Sequence, residues 1–509
     1  MVGNEIQIAT YFTSLTLKNV RCFGQQVTLS LCTREGRPAP WTLILGDNGV
    51  GKTTLLECLF WMQPALQGVP EGSGNKRSLD APSEEEEHSA ETASADGTST
   101  ENTKPKALSS NQTELDSKSK MLGPILTSEP DEVLESLIRL GPSTQALVRA
   151  TLAERASLYS DGEAGEIPLG LKLEGTNEAL ESVEFIDDTI TLENIDVYNK
   201  TNLIAYPATR RMGTLNVADR EDIVEPINPF SNDKAEISEL YDAEAILLRL
   251  DYASAKNQNQ GPDYDRLVEV RRLLADILPG IEREDDLVIK GPQVPGRPRS
   301  KFGVHFNTRD GLVSLSALSL GYRTTLALVI DLAWRMFIHY PDSAKPLAQP
   351  AIVLVDEIDL HLHPRWQQTI KDHLLKHFPM TQFICTTHSP LMAQAAASDN
   401  LVVVREDDDG KLVIENDPVF IRGWRVDQIL TSQYFGLSNT RGLDIQSRIE
   451  ERAMLLTKPD RSEAEERRLT EIEEEVVNLR TEDNPEDQRA MDLIRRAAEL
   501  LKGQGVSLP

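Results

Sequence analysis

Residues 46–53 read Gly-Asp-Asn-Gly-Val-Gly-Lys-Thr and match the pattern G-x-x-x-x-G-K-[ST] in full. Glycines at this spacing let the backbone approach phosphate oxygens and direct its N–H groups at them. Lys52 supplies a positive charge for the β- and γ-phosphates, and the Thr53 hydroxyl is a ligand for Mg²⁺. The helix expected to follow presents its positive end to the same anion. The segment, called the P-loop below, predicts binding of ATP and Mg²⁺ through Gly46, Asn48, Gly49, Gly51, Lys52, Thr53 and Thr54.

A pair of acids follows a short apolar segment. Residues 351–355, Ala-Ile-Val-Leu-Val, are typical of a buried strand, and Asp356 and Glu357 come directly after it. Downstream of a P-loop, such acids suggest Asp356 as a Mg²⁺ ligand and Glu357 as the group that acts on the attacking water. In an isolated motif, two solvated acids at a strand end would be the simpler interpretation.

A histidine ends a further apolar segment. Residues 382–388, Gln-Phe-Ile-Cys-Thr-Thr-His, predict a core strand that ends at His388. Its imidazole could reach the γ-phosphate, so we expect it to act with Lys52 and Glu357; the alternative is a structural histidine satisfied by its neighbours. His361 and His363 could form a metal pair, but we assign them to the loop after the acidic strand.

Apolar periodicity predicts the elements that position these groups, with turns where Gly and Pro cluster. The predicted elements are two strands joined at Phe23-Gly24 (12–31), a strand (41–45), a helix (53–62), helical segments (122–158), a region rich in strands (167–197), a strand (203–206), helices (237–278), a loop (291–300), a helix (324–334) and amphipathic C-terminal helices whose apolar positions include Leu469, Ile472, Val476, Leu479, Leu493, Ile494, Ala497 and Leu501.

Residues 67–120 differ from the rest of the chain, because they are dense in Ser, Thr, Glu, Gly and Asn and contain almost no large apolar residue. Such a segment cannot bury enough surface to offset its ordering entropy, which predicts a disordered insertion. The predicted regions are a first part of the P-loop domain (1–66), this acidic insertion (67–120), the remainder of the first lobe (121–216), a helical insertion (217–300), a lobe with the acids and His388 (301–440) and a helical C-terminal region (441–509).

Composition excludes some classes of protein. The 509 residues carry a formal charge of −28, which disfavours extensive binding to a nucleic-acid backbone, although a local basic groove stays possible. No segment has the roughly 18 to 20 consecutive apolar residues that span a bilayer, so no membrane partner is expected. The four cysteines show no metal-site spacing and are expected to be reduced and mostly buried, so we expect a cytoplasmic protein.

The motifs occur in the order found in RecF/SMC/OLD-like ABC ATPases, and the chain resembles that family. The motifs are Leu17–Phe23, the P-loop, Leu318–Arg323, Asp356–Glu357 and Thr387–Pro390. The resemblance implies an α/β fold, with a mixed central sheet flanked by helices, a helical insertion and a helical C-terminal extension. Residues 318–322 resemble the family's Leu-Ser-Gly-Gly-Gln signature, from which Leu320 and Tyr322 depart.

The same resemblance implies that Ser319 and Gly321 contact the γ-phosphate bound to a second subunit, so that ATP joins two heads. The glutamine that couples the lobes in this family has no clear counterpart. Gln63 lies too close to the P-loop helix, and residues 207–211 carry Arg210 and Arg211 instead.

The segment Asp356–Pro364 most resembles ATPase subunits of bacterial anti-phage defence systems, of the Septu type, including those encoded with retrons, or of the PARIS type. This implies a separately encoded nuclease partner of HNH or Toprim type and self-association. Residues 406–410, Glu-Asp-Asp-Asp-Gly, are assigned to a hairpin turn, so no nuclease site is expected in this chain. The alternatives are a RecF-like repair ATPase that acts on DNA directly, which the acidity disfavours, and an assembly protein with slow ATP turnover.

Overall fold

The structure is a computed structural model, and the chain divides into two compact units, Met1–Ile429 and Leu430–Pro509. The residues that it describes are 9–68, 76–78, 120–124, 144–155, 158, 165–175, 180–186, 202–211, 230, 240–278, 281, 283–290, 303–309, 311–396, 400–416, 418, 423–432, 434–435, 443–458 and 461–477.

The strands are β1 (Ala9–Lys18), β2 (Val27–Ser30), β3 (Trp41–Gly46), β4 (Pro64–Gly68), β5 (Lys76–Ser78), β6 (Lys120–Pro124), β7 (Thr144–Arg155), β8 (Gly165–Gly175), β9 (Leu180–Ile186), β10 (Leu203–Tyr206), β11 (Leu287–Lys290), β12 (Gly303–Thr308), β13 (Gly311–Ser314), β14 (Ala351–Val355), β15 (Thr381–Thr387), β16 (Asn400–Glu406) and β17 (Leu412–Asn416). The helices are α1 (Lys52–Trp61), α2 (Ala243–Lys256), α3 (Pro262–Ile277), α4 (Leu320–His339), α5 (Pro364–His377), α6 (Pro390–Ala396), α7 (Val426–Leu430), α8 (Leu443–Thr457) and α9 (Glu463–Val477).

A mixed six-stranded sheet forms the centre of the first unit, in the order β10-β14-β15-β3-β16-β17. Its first five strands are parallel, and β17 returns antiparallel to β16. Every residue of β3, β14 and β15 is buried, as expected for parallel strands covered on both faces. The predicted α/β fold with a mixed central sheet is confirmed, as are the strands predicted at 41–45, 203–206 and 351–355.

A second, antiparallel sheet has the order β2-β1-β7-β8-β9-β5. The pairing of β1 with β2 confirms the two strands predicted in residues 12–31. The helical segments predicted across 122–158 are wrong for residues 122–124, which belong to β6, and for residues 144–155, which form β7 between β1 and β8. Buried Ala146, Val148, Ala150 and Leu152 alternate with more exposed residues there, and a period of two is typical of a strand rather than a helix.

One hydrophobic core joins the two sheets. It contains residues of β1, β7 and β8, most of α1, and one face of the mixed sheet, including Ile44, Ile352 and Ile384. The helix α1 therefore lies between the sheets. Its buried residues fix the start of the helix beside the end of β3. Phe60 and Trp61 contact each other edge to face, with ring centroids 5.1 Å apart.

The region predicted to be helical at 237–278 contains α2 and α3. Helix α2 begins after Asp242, whose carboxylate accepts hydrogen bonds from the N–H groups of Glu244 and Ala245. A small antiparallel sheet, β11-β12-β13, follows and joins residues on both sides of position 300, where the sequence placed a boundary between regions. The Val304 N–H donates to Glu244 Oε1 at 2.9 Å and ties this sheet to α2.

Little of the predicted insertion, residues 67–120, belongs to the described chain. Its ends form the antiparallel pair β4–β6, and β5 pairs with β9. The remaining residues, and the predicted loop at 291–300, lie outside the described chain, so those expectations stay predictions.

The second unit contains α8 and α9, which pack against each other. Ion pairs join Arg452 to Glu473 (3.0 Å) and Arg468 to Glu451 (2.9 Å). Leu469 and Ile472 are buried, as their spacing predicted, whereas Met454 is 70% exposed. The C-terminal residues after 477, with Leu479 and the apolar positions from Leu493 onward, lie outside the described chain.

All four cysteines are free thiols, with Cys58 and Cys385 buried and the other two half-buried. Burial raises the pKa of both buried thiols, which keeps them protonated. Among the described helices, none combines the length and apolar character that a membrane span requires.

Candidate functional site

The candidate site lies where four neighbouring parallel strands end. In the order β10, β14, β15, β3, the strands are followed by Arg210, by Asp356 and Glu357, by His388, and by the P-loop. Carboxyl ends of adjacent parallel strands share one edge of a sheet, and ligands of α/β proteins bind at this edge. Three sequence-predicted groups, the P-loop, the acids and His388, are thus brought together by topology alone.

The P-loop turns sharply into α1. Gly49 and Gly51 have φ angles of 81° and 88°, in the left-handed region. A Cβ on Gly51 would lie 2.4 Å from Cys22 Sγ, so the close packing of the loop on the segment after β1 also requires glycine. The bend leaves the first N–H groups of α1 without partners within the helix, which is the arrangement that binds phosphate.

Lys52 points back into the P-loop. Its ammonium group donates to the carbonyl oxygens of Gly46 (2.9 Å) and Asp47 (2.7 Å) and lies 2.8 Å from His388 Nε2. Burial lowers the pKa of Lys52 to about 8, and the carboxylates of Asp356 and Glu357 oppose that shift. Burial and the Lys52 charge lower the pKa of His388, so a neutral imidazole accepts the hydrogen bond from Lys52.

Asp356 is held between two hydroxyl groups. Thr53 Oγ1 donates to Asp356 Oδ2 at 2.8 Å, and Thr386 Oγ1 donates to Asp356 Oδ1. Thr386 Oγ1 also accepts from the Glu357 N–H at 2.8 Å, so one hydroxyl of β15 fixes both acids. Sequence reasoning missed Thr386, although two threonines before His388 in an apolar strand were a signal for it.

Glu357 leaves the strand in a left-handed conformation. Its φ of 46° is uncommon for a residue with a side chain and is held by hydrogen bonds to its backbone. Its side chain is half-buried, and its carboxylate accepts no hydrogen bond from any residue in the described chain. The carboxylate is therefore available to a water molecule or a ligand.

Arg210 clamps the backbone of both acids. Its guanidinium donates to Asp356 O (2.7 Å), Glu357 O (3.0 Å) and Pro207 O (3.2 Å). Burial lowers the pKa of Arg210, and the charge of Asp356 opposes this shift most strongly. Of the two arginines that the sequence left as candidates for a coupling element, Arg210 thus contacts the acids, while Arg211 is exposed.

A second set of hydrogen bonds orients the end of β15. Thr387 Oγ1 donates to Asp359 Oδ1 at 2.6 Å and accepts from the Ser389 N–H at 2.9 Å. His388 is thereby flanked on both sides by fixed residues. Asp359 lies in the loop after the acids, and its contact with Thr387 could not be predicted from their spacing in the sequence.

The signature residues lie apart from this network. Ser319 precedes α4, is exposed, and makes no side-chain capping hydrogen bond. In the described chain no hydrogen bond joins Ser319 to the P-loop or the acids. Gly321 packs on the loop after the acids, where a Cβ would lie 2.4 Å from His361 O. His361 and His363 belong to no cluster of three or more potential metal ligands among the described residues.

The site fits ATP and Mg²⁺ by the chemistry of its donors. Thr53 and Asp356 offer a hydroxyl and a carboxylate oxygen 2.8 Å apart, and hard oxygen donors of this kind suit Mg²⁺. The buried Lys52 ammonium and the glycine turn suit an anionic phosphate chain. Asn48 is exposed in the turn and Thr54 is buried in the first turn of α1.

These features define a P-loop ATPase of the ABC type. The chain belongs to the family described as "AAA domain, putative AbiEii toxin, Type IV TA system", whose model matches residues 42–393. That range contains the P-loop, the signature residues, the acids and His388.

Relatives carry retron and Septu names, as the resemblance predicted. "Retron Vc95 probable ATPase" of Vibrio cholerae serotype O1 biovar El Tor is 36% identical over 150 residues, 30% of this chain and 28% of that protein. "Septu protein PtuA" of Bacillus mycoides (strain KBAB4) is 31% identical over 179 residues, which are 34% of this chain and 24% of that protein. "Retron Ec83 probable ATPase" of Escherichia coli is 50% identical over 95 residues, 18% of each chain. The matches therefore span less than a third of these relatives.

Among solved structures, the SMC head domain from Thermotoga maritima aligns with 80% of this chain and 98% of its own length. The sequence identity is 15% and the TM-score is 0.35.

Proposed function

We propose that the protein hydrolyses ATP, with Mg²⁺, at sites formed between two copies of the chain. The proposal rests on a contrast between two features. Hydrogen bonds within one chain fix Lys52 and Asp356, whereas Ser319 is exposed and takes no part in this network. A signature serine facing solvent is available to the nucleotide of a second copy.

In this proposal Lys52 exchanges its carbonyl partners for phosphate oxygens, and the P-loop N–H groups hold the phosphate chain. Thr53 and Asp356 would hold Mg²⁺, and the ion would supply positive charge that offsets the charge of the phosphates. Glu357 orients the water that attacks the γ-phosphorus, and the bond to the ADP oxygen breaks as the new P–O bond forms. His388 contacts the γ-phosphate and senses its presence.

The second copy would supply Ser319 and Gly321. Because Gly321 packs on His361 O, the signature residues lie beside the loop after Glu357 in each copy. Binding of ATP then closes two heads on each other, and hydrolysis releases them. A two-fold arrangement of this kind uses the same surface on both copies, so each dimer holds two sites.

We further propose a regulatory role in an anti-phage defence complex with a separately encoded nuclease of HNH or Toprim type. The retron and Septu names of the relatives support this role. Residues 406–410 support the absence of a nuclease site here, because they lie at the end of β16 and in the turn to β17: the Asp407 N–H donates to Lys411 O, and Gly410 has a φ of 72°.

The second unit is the proposed contact for the partner or for assembly. Its exposed Met454, with Leu456 at 45% exposure, offers apolar surface. Glu465 and Glu473 form ion pairs with Lys458 and Arg452 inside the unit, so part of the negative charge of α9 is neutralised there. Glu463 and Glu471 also pair with Arg467 and Arg468, and the net negative charge of α9 can attract a basic partner and raise its association rate.

Two measurements test the proposal. Phosphate release from ATP with and without Mg²⁺ tests hydrolysis, and a rate no higher than that of the Lys52→Ala protein overturns it. Purification of this chain together with the products of its neighbouring genes, followed by mass measurement of the intact complex, tests the partner. A nuclease retained at fixed stoichiometry supports the regulatory role, whereas recovery of this chain by itself contradicts it.

A further inference from the structure

A buried carboxylate on α4 lies outside the site described above. Asp331 is 0% exposed, twelve residues beyond Ser319 on the helix that begins with the signature. Burial of a charge is costly, and an apolar residue of similar volume would pack at least as well. Its partners therefore indicate what the carboxylate does.

Asp331 joins α4 to β10 and to the segment before α2. The Tyr206 hydroxyl donates to Asp331 Oδ2 at 2.8 Å, and the Tyr241 N–H donates to Oδ1 at 2.7 Å. Arg335, one turn further along α4, donates to Oδ2 at 2.6 Å and compensates the charge. Its guanidinium also lies over the rings of Tyr206 and Tyr241, 5.9 and 5.4 Å from their centroids.

Tyr206 is the last residue of β10 and is fixed to the acids by its backbone. Its carbonyl oxygen accepts the Asp356 N–H at 2.8 Å. Pro207 follows and restricts the backbone of Tyr206. Arg210, four residues after Tyr206, then holds the carbonyl oxygens of Asp356 and Glu357. The position of the Tyr206 side chain thus sets the position of the segment that clamps both acids.

The helix α4 consequently contacts two segments that adjoin the acids. Gly321 at its start packs on the loop that follows Glu357, and Asp331 holds the strand end that precedes Arg210. The two contacts are separated by ten residues, or about 15 Å of helix, which is short and stiff enough to move as one body. The helix therefore links the signature residues to the segments that hold the backbone of Glu357.

We propose that Asp331, through Tyr206, is a positioning residue that couples the signature helix to the catalytic acids. Its hydrogen-bond partners Tyr206, Tyr241 and Arg335 all lie outside the P-loop and the pair of acids. It sets the backbone of Glu357 in response to the position of Ser319, so that the water-orienting carboxylate is correctly placed when the signature engages. The inference rests on the proposed hydrolysis of ATP between two copies.

The test removes one oxygen atom. Tyr206→Phe keeps the ring and its packing but loses the hydrogen bond to Asp331. We expect kcat for ATP hydrolysis to fall about tenfold or more while KM stays within about twofold, because only the position of the acid changes. The matched control is Tyr11→Phe, which removes a hydroxyl that donates to Met380 O at 2.9 Å, before the start of β15 and away from the acids.

Two further variants separate coupling from stability and assembly. Asp331→Asn keeps the shape of the side chain, and we expect the same fall in kcat. Tyr206→Phe in the Glu357→Gln background should still form the ATP-dependent dimer, because the signature itself is intact. Loss of that dimer would mean that the network builds the interface, which overturns the coupling role.

The outcomes distinguish this inference from the proposed function. If the unmodified protein hydrolyses ATP and Tyr206→Phe has the same kcat as Tyr11→Phe, the coupling role of Asp331 is wrong and the proposed function stands. If both phenylalanine variants lower the melting temperature and kcat equally, the hydrogen bond is merely structural. If the unmodified protein does not hydrolyse ATP, the proposed function fails first.

Discussion

The edge of the mixed sheet and the start of α4 differ in how far a single chain completes them. At the sheet edge Lys52, Asp356 and Glu357 are fixed by hydrogen bonds to Gly46, Thr386 and Arg210. At the start of α4, Leu320 is 52% exposed and Ser319 caps no N–H group with its side chain. This contrast between a closed side, the sheet edge, and an open side, the start of α4, is the basis of the proposal that a second copy completes the site.

The largest expected effect is on the closed side. Lys52→Ala should weaken ATP binding at least about 100-fold, because the buried ammonium is the positive charge that points into the P-loop. Isothermal titration calorimetry measures the affinity. The control is Lys345→Ala, which removes an exposed lysine and should bind ATP as the unmodified protein does. Unchanged affinity for Lys52→Ala would remove Lys52 from its assigned role.

Glu357→Gln should separate binding from hydrolysis. The carboxylate accepts no hydrogen bond within the described chain, so the amide should leave the fold and the ATP affinity nearly unchanged. Phosphate release should fall about 100-fold or more, since the group that acts on water is lost. Gel filtration with ATP should show a stable larger species, and elution at the monomer position would argue against closure of two heads by ATP.

Ser319→Arg changes the open side. The bulky charge should leave the affinity for ATP within about threefold and reduce the ATP-dependent larger species, because an exposed side chain can disturb a contact with a second copy without disturbing its own chain. Ser343→Arg, beyond the other end of α4, is the control. Sedimentation velocity with ATP compares the two, and identical dimer fractions would show that Ser319 is outside the interface.

The smallest effect on ATP is expected from removal of α8, α9 and the residues that follow them. Truncation after Gly442 should leave ATP binding unchanged and weaken assembly or capture of the partner protein. Calorimetry and co-purification with the neighbouring gene products measure the two properties. A truncated chain that retains its partner as fully as the complete chain does would show that α8 and α9 are not the contact.

Much of the closed side could be predicted from sequence, because local spacing encodes it. The glycine pattern fixes the P-loop, and the strands ending at Asp356 and His388 deliver their side chains to one edge by parallel pairing. The contacts of Thr386 and Arg210 could not be predicted, since they depend on which strands are neighbours. The order of β10, β14 and β15 is a property of the whole sheet rather than of any segment.

The error at β7 has a similar physical origin. In residues 144–155 apolar side chains occur often enough to suit either a helix or a strand, and the alternation of Ala146, Val148, Ala150 and Leu152 is the deciding feature. Asp331 was missed for another reason. An acid inside an apolar helix resembles a residue on its solvated face until Tyr206 and Tyr241 are seen to bind it.

The most direct test of the shared site is complementation. Lys52→Ala lacks a working P-loop and Ser319→Arg lacks a working signature, so each protein should hydrolyse ATP poorly. In an equal mixture, about half of the dimers pair one copy of each and contain one intact site, which predicts roughly a quarter of the unmodified rate. Phosphate release from the mixture at that level supports a site built from two copies. A mixture no more active than the sum of its two components would contradict it.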